Sequence, residues 1–167
     1  MKVNPLLRVM KMTEQTSQDL AEYPTSTGLR LLIGSWAQLK EPATQVRYTV
    51  FVDEQQVPVE MELDEFDAVS SHAVVLDSQN QPLATGRLLP DGHIGRMAVM
   101  ASARGLGLGA QVLQALIDLA KQKAMPEVVL SAQVHALGFY QKQGFIAAGD
   151  VYLDCGIEHK DMRLVLA

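Results

Sequence analysis

Arg104-Gly105-Leu106-Gly107-Leu108-Gly109-Ala110 runs directly into Gln111-Val112-Leu113-Gln114-Ala115-Leu116-Ile117-Asp118-Leu119-Ala120-Lys121, and this junction decides how the chain folds. Three alternating glycines strip side chains from a stretch where backbone must approach something closely. From about Gly107 to Ala124 the pattern turns helical, with Leu108, Val112, Leu116, Leu119 and Ala120 on one face. Just upstream, Ile94 to Met100 reads as a strand. The opening amides of such a helix lack intrahelical partners and, with the helix dipole, form an anion site suited to a pyrophosphate. The glycine spacing fails the dinucleotide pattern G-x-G-x-x-G, and no Gly-Lys-Ser/Thr completes a phosphate-binding P-loop. On the glycines alone, a purely structural turn stays open.

Working outward, Leu29 to Ile33 reads as a strand. A helix follows with Pro42 in its first turn and Val46 and Val50 facing inward, and Pro58 ends it. Ala73–Leu76, Leu83–Leu89 and Ile94–Met100 form an antiparallel meander, punctuated by Ser78 to Gln81 and by Pro90-Asp91-Gly92. Pro126 stops the long helix. Val128 to Ser131 is a buried-type strand, and Ala136 to Gln143 a short helix closed by Gly144. Phe145–Ala148, Val151–Leu153 and Met162–Leu166 supply the last strands. The order β-α-β-β-β-α-β-α-β-β predicts an α+β fold around a mixed, mostly antiparallel central sheet flanked by helices. Residues 29–167 read as one domain. Residues 1–28, polar from Thr13 onward, read as an N-terminal extension that is partly flexible.

With 167 residues, 48% of them hydrophobic, the chain has material for one ordinary core. A net charge of −5 argues against nucleic-acid binding as its main task. No apolar run is long enough to span a bilayer, and Arg8 and Lys11 interrupt the only stretch resembling a signal peptide. The single cysteine, Cys155, makes no internal disulfide, so the expectation is a cytoplasmic protein outside the membrane. His72, His93 and His135 lack metal-ligand spacing to Cys or to one another, and no metal is expected.

The Arg-x-x-Gly-x-Gly pattern at Arg104–Gly109 resembles the pyrophosphate loop of the GNAT acetyltransferases. Phe139-Tyr140-Gln141-Lys142-Gln143-Gly144-Phe145 is similar to that family's F-Y-x-x-x-G-F segment. Arg47-x-x-Val50-Phe51-x-x-Glu54-Gln55-x-Val57-Pro58, the following Glu62, Asp64 and Asp67, and Leu153-Asp154-Cys155-Gly156-Ile157-Glu158-His159 resemble the ElaA- and YjcF-type branch. The match runs from about Leu29 to the C-terminus. One departure is Ser131, where that branch often has Asn.

The resemblance implies the acyl-CoA N-acyltransferase fold, with acetyl-CoA as cosubstrate and direct transfer of its acetyl group to a primary amine. Met97, Ala98 and Val99 would bind the pantetheine through backbone groups, with an N–H, that of Val99, polarising the thioester carbonyl. Arg104, Gly105, Leu106, Gly107, Leu108, Gly109 and Ala110 would hold the pyrophosphate, and Ser131 and Phe139 would flank the cofactor. Tyr140 matches the general acid that protonates the leaving thiolate, although packing alone is its other reading. The attacking amine must shed a proton, and Glu54, beside the acceptor site in this fold, is the first candidate base, with His159 the second. Arg47, Arg87 and Arg96 could receive an anionic group of the acceptor, and Asp64 or Asp67 a cationic one. They could equally pair inside the fold, as an apolar strand seldom buries a lone arginine. The acceptor is a small-molecule amine or a protein amine, and a homodimer is compatible with the chemistry. The rival reading is a non-catalytic acyl-CoA-binding module.

Overall fold

A computed structural model describes residues 8–10, 20–25 and 28–166. The strands are β1 (Arg8–Met10), β2 (Leu20–Pro24), β3 (Arg30–Ser35), β4 (Ser71–Leu76), β5 (Pro82–Leu88), β6 (His93–Val99), β7 (Glu127–Gln133), β8 (Ile146–Asp154) and β9 (Ile157–Val165). The helices are α1 (Trp36–Arg47), α2 (Val59–Glu62), α3 (Leu108–Gln122) and α4 (Leu137–Lys142), and a π-helix (Tyr48–Glu54) continues α1. One nine-stranded sheet has the order β1-β2-β3-β4-β5-β6-β7-β9-β8. Every adjacent pair is antiparallel except β6 and β7.

The sheet separates two helical layers because its strands alternate. Leu31, Ile33, Ala73 and Val75 face the cluster built on α3, where Val112, Leu113 and Leu116 are fully buried. Leu32, Val74 and Leu76 face Leu39 and Ala43 of α1. Burying each of the larger aliphatic side chains contributes roughly 1.5–3 kcal/mol, so α3 anchors the fold.

Three expectations need correction. The sheet begins upstream of Leu29, because Leu20–Pro24 pairs with Arg30–Ile33 as a full strand. Much of the remaining 1–28 stretch lies outside the described residues. Next, α1 starts at Trp36, not at Pro42. Ser35 caps it, accepting from the Gln38 N–H at 3.3 Å while its own N–H donates to Gln38 Oε1 at 2.8 Å. This reciprocal box satisfies two of the helix's free donors and fixes the start. Pro42 therefore sits inside the helix. Finally, β8 is one nine-residue strand with a register shift between Ala148 and Tyr152, where Gly149 takes φ +78°, instead of two short strands.

Candidate active site

The parallel seam between β6 and β7 is only two register pairs long, His93–Val129 and Ile94–Leu130. Beyond Ile94 the strands part. The cause lies on the other side of β6. Register with β5 shifts between Thr85 and Arg87, so Gly86 alone opposes Arg96 and Met97. This is a β-bulge, which bends the strand carrying the extra residue. Arg96 absorbs the bend with φ +51°, a left-handed conformation uncommon for a non-glycine residue. Gly86 must be bare: a Cβ there would lie 2.6 Å from Met97 Sδ and 2.8 Å from Val112 Cγ1.

The ladder also fixes how Val99 points. Met100 N–H donates to Leu83 O at 2.8 Å, so the adjoining Ala84–Val99 pair is of the non-hydrogen-bonded kind. Its N–H and C=O turn away from β5 into the gap. The carbonyl is occupied by Arg104 Nε at 3.1 Å, and the Val99 N–H is left facing the opening.

A cavity of about 930 Å³ fills this opening. One wall is the glycine loop: Arg104, Gly105, Gly107, Leu108, Gly109 and Ala110 line it, and Leu106 points out to solvent at 64% exposure. Gly105 and Gly107 have φ +83° and +77°, and a Cβ on either would meet no protein atom within 4 Å. Their bareness thus serves backbone conformation and open space for a ligand, not the protein's own packing. Gly107 is the N-cap of α3 and supplies no side-chain acceptor, so the leading amides of a fifteen-residue helix face the cavity uncapped by a side chain. This cradle fits a pyrophosphate. Met97, Ala98, Val99, Ser131, Phe139 and Tyr140 continue the wall.

Tyr140 is 8% exposed, packed edge-on between Phe139 and Phe145 with ring centroids at 5.0 and 5.9 Å. Its hydroxyl has no hydrogen-bond partner among the described residues, and burial pushes its pKa up to about 12. Ser131 Oγ hydrogen-bonds the Tyr152 hydroxyl, which donates to Asp161 Oδ1 at 2.7 Å.

Across the cavity stand Glu54, Glu62, Arg96, Asp154 and His159. Both Glu54 oxygens are held by Arg104, at 2.6 and 2.7 Å. These hydrogen bonds hold the carboxylate below its usual range, which makes it a poorer proton acceptor than an unpaired one. The structure gives Glu54 a definite job, tying the end of the π-helix to the loop. His159 is 9% exposed and lies opposite Gln133 in the sheet register, with Tyr152 stacked on it at 6.1 Å. Its Nδ1 is 2.7 Å from the Ile157 carbonyl oxygen. A carbonyl only accepts, so Nδ1 carries the hydrogen and Nε2 carries the lone pair of the neutral ring. Nε2 has no partner among the described residues.

Of the two readings of the acceptor-side arginines and carboxylates, pairing inside the fold is the one found. Arg47, Arg87 and Asp64 do not line the cavity. They belong to a closed ring of six alternating charges. Arg47 pairs with Glu62 at 2.5 Å and Asp67 at 2.8 Å, and Arg87 with Asp67 at 3.1 Å and Asp64 at 2.7 Å. Arg96 closes it against Asp64 at 3.1 Å and Glu62 at 3.8 Å. Arg47 and Arg87 are 1% and 6% exposed. Burial alone would drive the Asp67 carboxyl up, but hydrogen bonds and charge from Arg47 and Arg87 outweigh it and hold it low. Arg47 also lies over the Trp36 ring at 5.3 Å. These residues consume one another because a buried arginine without a carboxylate is costly. Of the three arginines considered for the acceptor, Arg96 does line the cavity; Asp154, Gln55, Gln133 and Met61 line it too, with no role expected for them from sequence. The Asp154–Ile157 pairing that brings Asp154 there was signalled by Cys155-Gly156, a two-residue hairpin turn with φ +51° and +75°.

Comparison with known proteins agrees with this geometry. The acetyltransferase (GNAT) domain model matches residues 39–166. The uncharacterized N-acetyltransferase YjcF of Bacillus subtilis is 39% identical over 129 residues, covering 75% of this chain and 91% of that protein. Crystal structures of an acyl-CoA N-acyltransferase from Pseudomonas aeruginosa (36% identity, TM-score 0.72) and of Escherichia coli ElaA (28% identity, TM-score 0.71) each cover 81% of this chain and 98% of theirs. The chain belongs to the GNAT N-acetyltransferase family, in its ElaA/YjcF-like branch.

Proposed function

We propose that the protein transfers an acetyl group from acetyl-CoA to a primary amine by direct attack of the amine on the thioester. The observation that carries this is the coincidence, in one cavity, of an uncapped helix start behind two open glycines, an outward-facing Val99 N–H and Tyr140. Acetyl-CoA supplies an activated acetyl group. The loop amides from Gly105 to Ala110 bind its pyrophosphate, and the strands around Met97–Val99 and Ser131 flank its pantetheine arm. The Val99 N–H donates to the thioester oxygen as negative charge builds there, the form of stabilisation that preorganised amides provide best.

Tyr140 is fully protonated at neutral pH and donates to the departing sulfur. Outright proton transfer from a phenol of pKa about 12 to a thiolate whose acid has pKa ~8.5 is uphill by about 5 kcal/mol. Tyr140 therefore acts first as a hydrogen-bond donor, and bulk water completes protonation.

The amine reaches the cavity as an ammonium of pKa about 10 and must lose a proton to expose its lone pair. Both Glu54 oxygens are held by Arg104, whereas His159 Nε2 offers an unpartnered lone pair inside the cavity. His159 takes the proton, and Glu54 holds Arg104 and the loop in place.

Isothermal titration with acetyl-CoA tests the reading. Wild-type protein binds, and Gly107→Glu loses binding, because a carboxylate projects into the anion cradle. A folded wild-type protein that binds no acetyl-CoA refutes it.

A further inference from the structure

The acceptor side of the cavity carries charge, with Arg96 and Glu62 of the ring on its wall and the rest of the ring behind them, yet almost all of it cancels. Arg47, Arg87 and Arg96 balance Glu62, Asp64 and Asp67 three against three within the ring. Arg104 balances Glu54 and also donates to the Val99 carbonyl. Among the described residues no lysine lines the cavity. Every guanidinium an acceptor could meet there already faces a carboxylate. The remaining charged wall residue is Asp154, at the end of β8, which takes part in no ion pair among the described residues.

The rest of this wall is apolar or neutral. Val50, Phe51, Val57, Met61 and Ile157 line it. At its mouth Met61, 45% exposed, meets the β8–β9 turn, its sulfur 3.4 Å from Cys155 Sγ. Leu153, beside Asp154, is 71% exposed.

We propose that the acceptor is an amine on an apolar body that bears no anionic group, its ammonium drawn in by Asp154 and its body laid against Phe51, Val57 and Met61. This rests on the acetyl-transfer reading and names the substrate class for it. A carboxylate or phosphate on the acceptor would leave water for a wall with no unpaired cation and would face Asp154 as a like charge. Such a group is rejected by its own desolvation. α-Amino acids and amino-sugar phosphates are thus poor acceptors, and arylalkyl and alkyl amines good ones.

The test uses matched pairs that differ by one carboxylate: 2-phenylethylamine against phenylalanine, and hexylamine against 6-aminohexanoate. CoA release is followed with acetyl-CoA saturating, and acetyl-CoA binding is measured in parallel by titration calorimetry. The expected result is a kcat/KM at least about 30-fold higher for the carboxylate-free member of each pair, as an unpaired buried polar group costs. Asp154→Asn narrows the gap chiefly by slowing the carboxylate-free amines, with acetyl-CoA binding unchanged. Equal or reversed preference overturns the proposal, as does turnover of no member by protein that binds acetyl-CoA. Loss of acetyl-CoA binding itself would instead strike the acetyl-transfer reading.

Discussion

Replacing Arg47 by methionine tests whether the charge ring holds the acceptor side of the fold together. Arg47 is 1% exposed and contributes two ion pairs, a hydrogen bond to the Glu62 carbonyl at 2.8 Å and a cation–π contact with Trp36. Methionine fills most of the aliphatic volume but leaves Glu62 and Asp67, each 2% exposed, without their shared cation. Removing one partner of a buried pair typically costs about 3–5 kcal/mol, because the surviving charge stays out of water. A domain of this size has a total stability of roughly 5–15 kcal/mol, so the variant is expected to be marginal. At about 2–4 °C per kcal/mol, its Tm falls by roughly 6–20 °C. Thermal and urea unfolding at neutral pH, followed by circular dichroism, provide the measurement. The mechanism makes a second demand. The triple variant Arg47→Met, Glu62→Gln, Asp67→Asn removes the orphaned charges and should recover a good part of the loss. An R47M protein melting within about 2 °C of wild type, or a triple variant no better than the single, would refute the account.

Two further changes probe the site's frame. Tyr140→Phe removes a phenol whose pKa burial pushes up to about 12, above the ordinary tyrosine value of about 10. The raised value favours the folded state fully below pH 10, and that advantage fades as pH rises through about 12, by up to ~2.7 kcal/mol. Wild type should therefore lose stability relative to Y140F between pH 9 and 11.5 in urea titrations, and parallel curves would contradict the burial of the hydroxyl. Gly86→Ala places a Cβ against Met97 Sδ and Val112 at the bulge. It should cost about 1–3 kcal/mol and shift the β6 backbone, read as lowered Tm and weaker acetyl-CoA binding, whereas an unchanged protein would mean the bulge is not held by close packing.

The glycine loop, α3 and the meander were legible because each rests on a local rule: glycine where backbone is close, apolar spacing of 3.6, and turn residues between short strands. The start of α1 was legible too, in Ser35 and Gln38 at capping-box spacing, but Pro42 drew attention to a later start. Leu20–Pro24 becomes a strand because β3 offers it an edge, and its own residues, Leu-Ala-Glu-Tyr-Pro, carry only a weak alternation. The bulge at Arg96 depends on how Gly86, Met97 and α3 meet, which no window of sequence contains. The ring was half legible. Three arginines and three carboxylates near an apolar strand invited pairing, but which partner each takes, and that Arg47, Arg87 and Asp64 leave the cavity, is a property of the tertiary structure. Glu54 looked like a free carboxylate for the same reason: Arg104 stands fifty residues away in sequence.

The two-pair seam between β6 and β7 also bears on how the molecule opens in time. Six strands to one side of it, β1 to β6, and three to the other, β7, β9 and β8, are each continuously hydrogen-bonded within their own block. Among the described residues, only His93–Val129, Ile94–Leu130 and the Val129 amide on Gly92 stitch one block to the other by backbone. The blocks are otherwise united by α3, which packs against strands on both sides. In hydrogen exchange this predicts two cooperative units, with amides of the C-terminal block exchanging through a sub-global opening that leaves β3 to β6 protected. A ligand bridging the gap would add contacts to both blocks at once and merge their exchange into a single event.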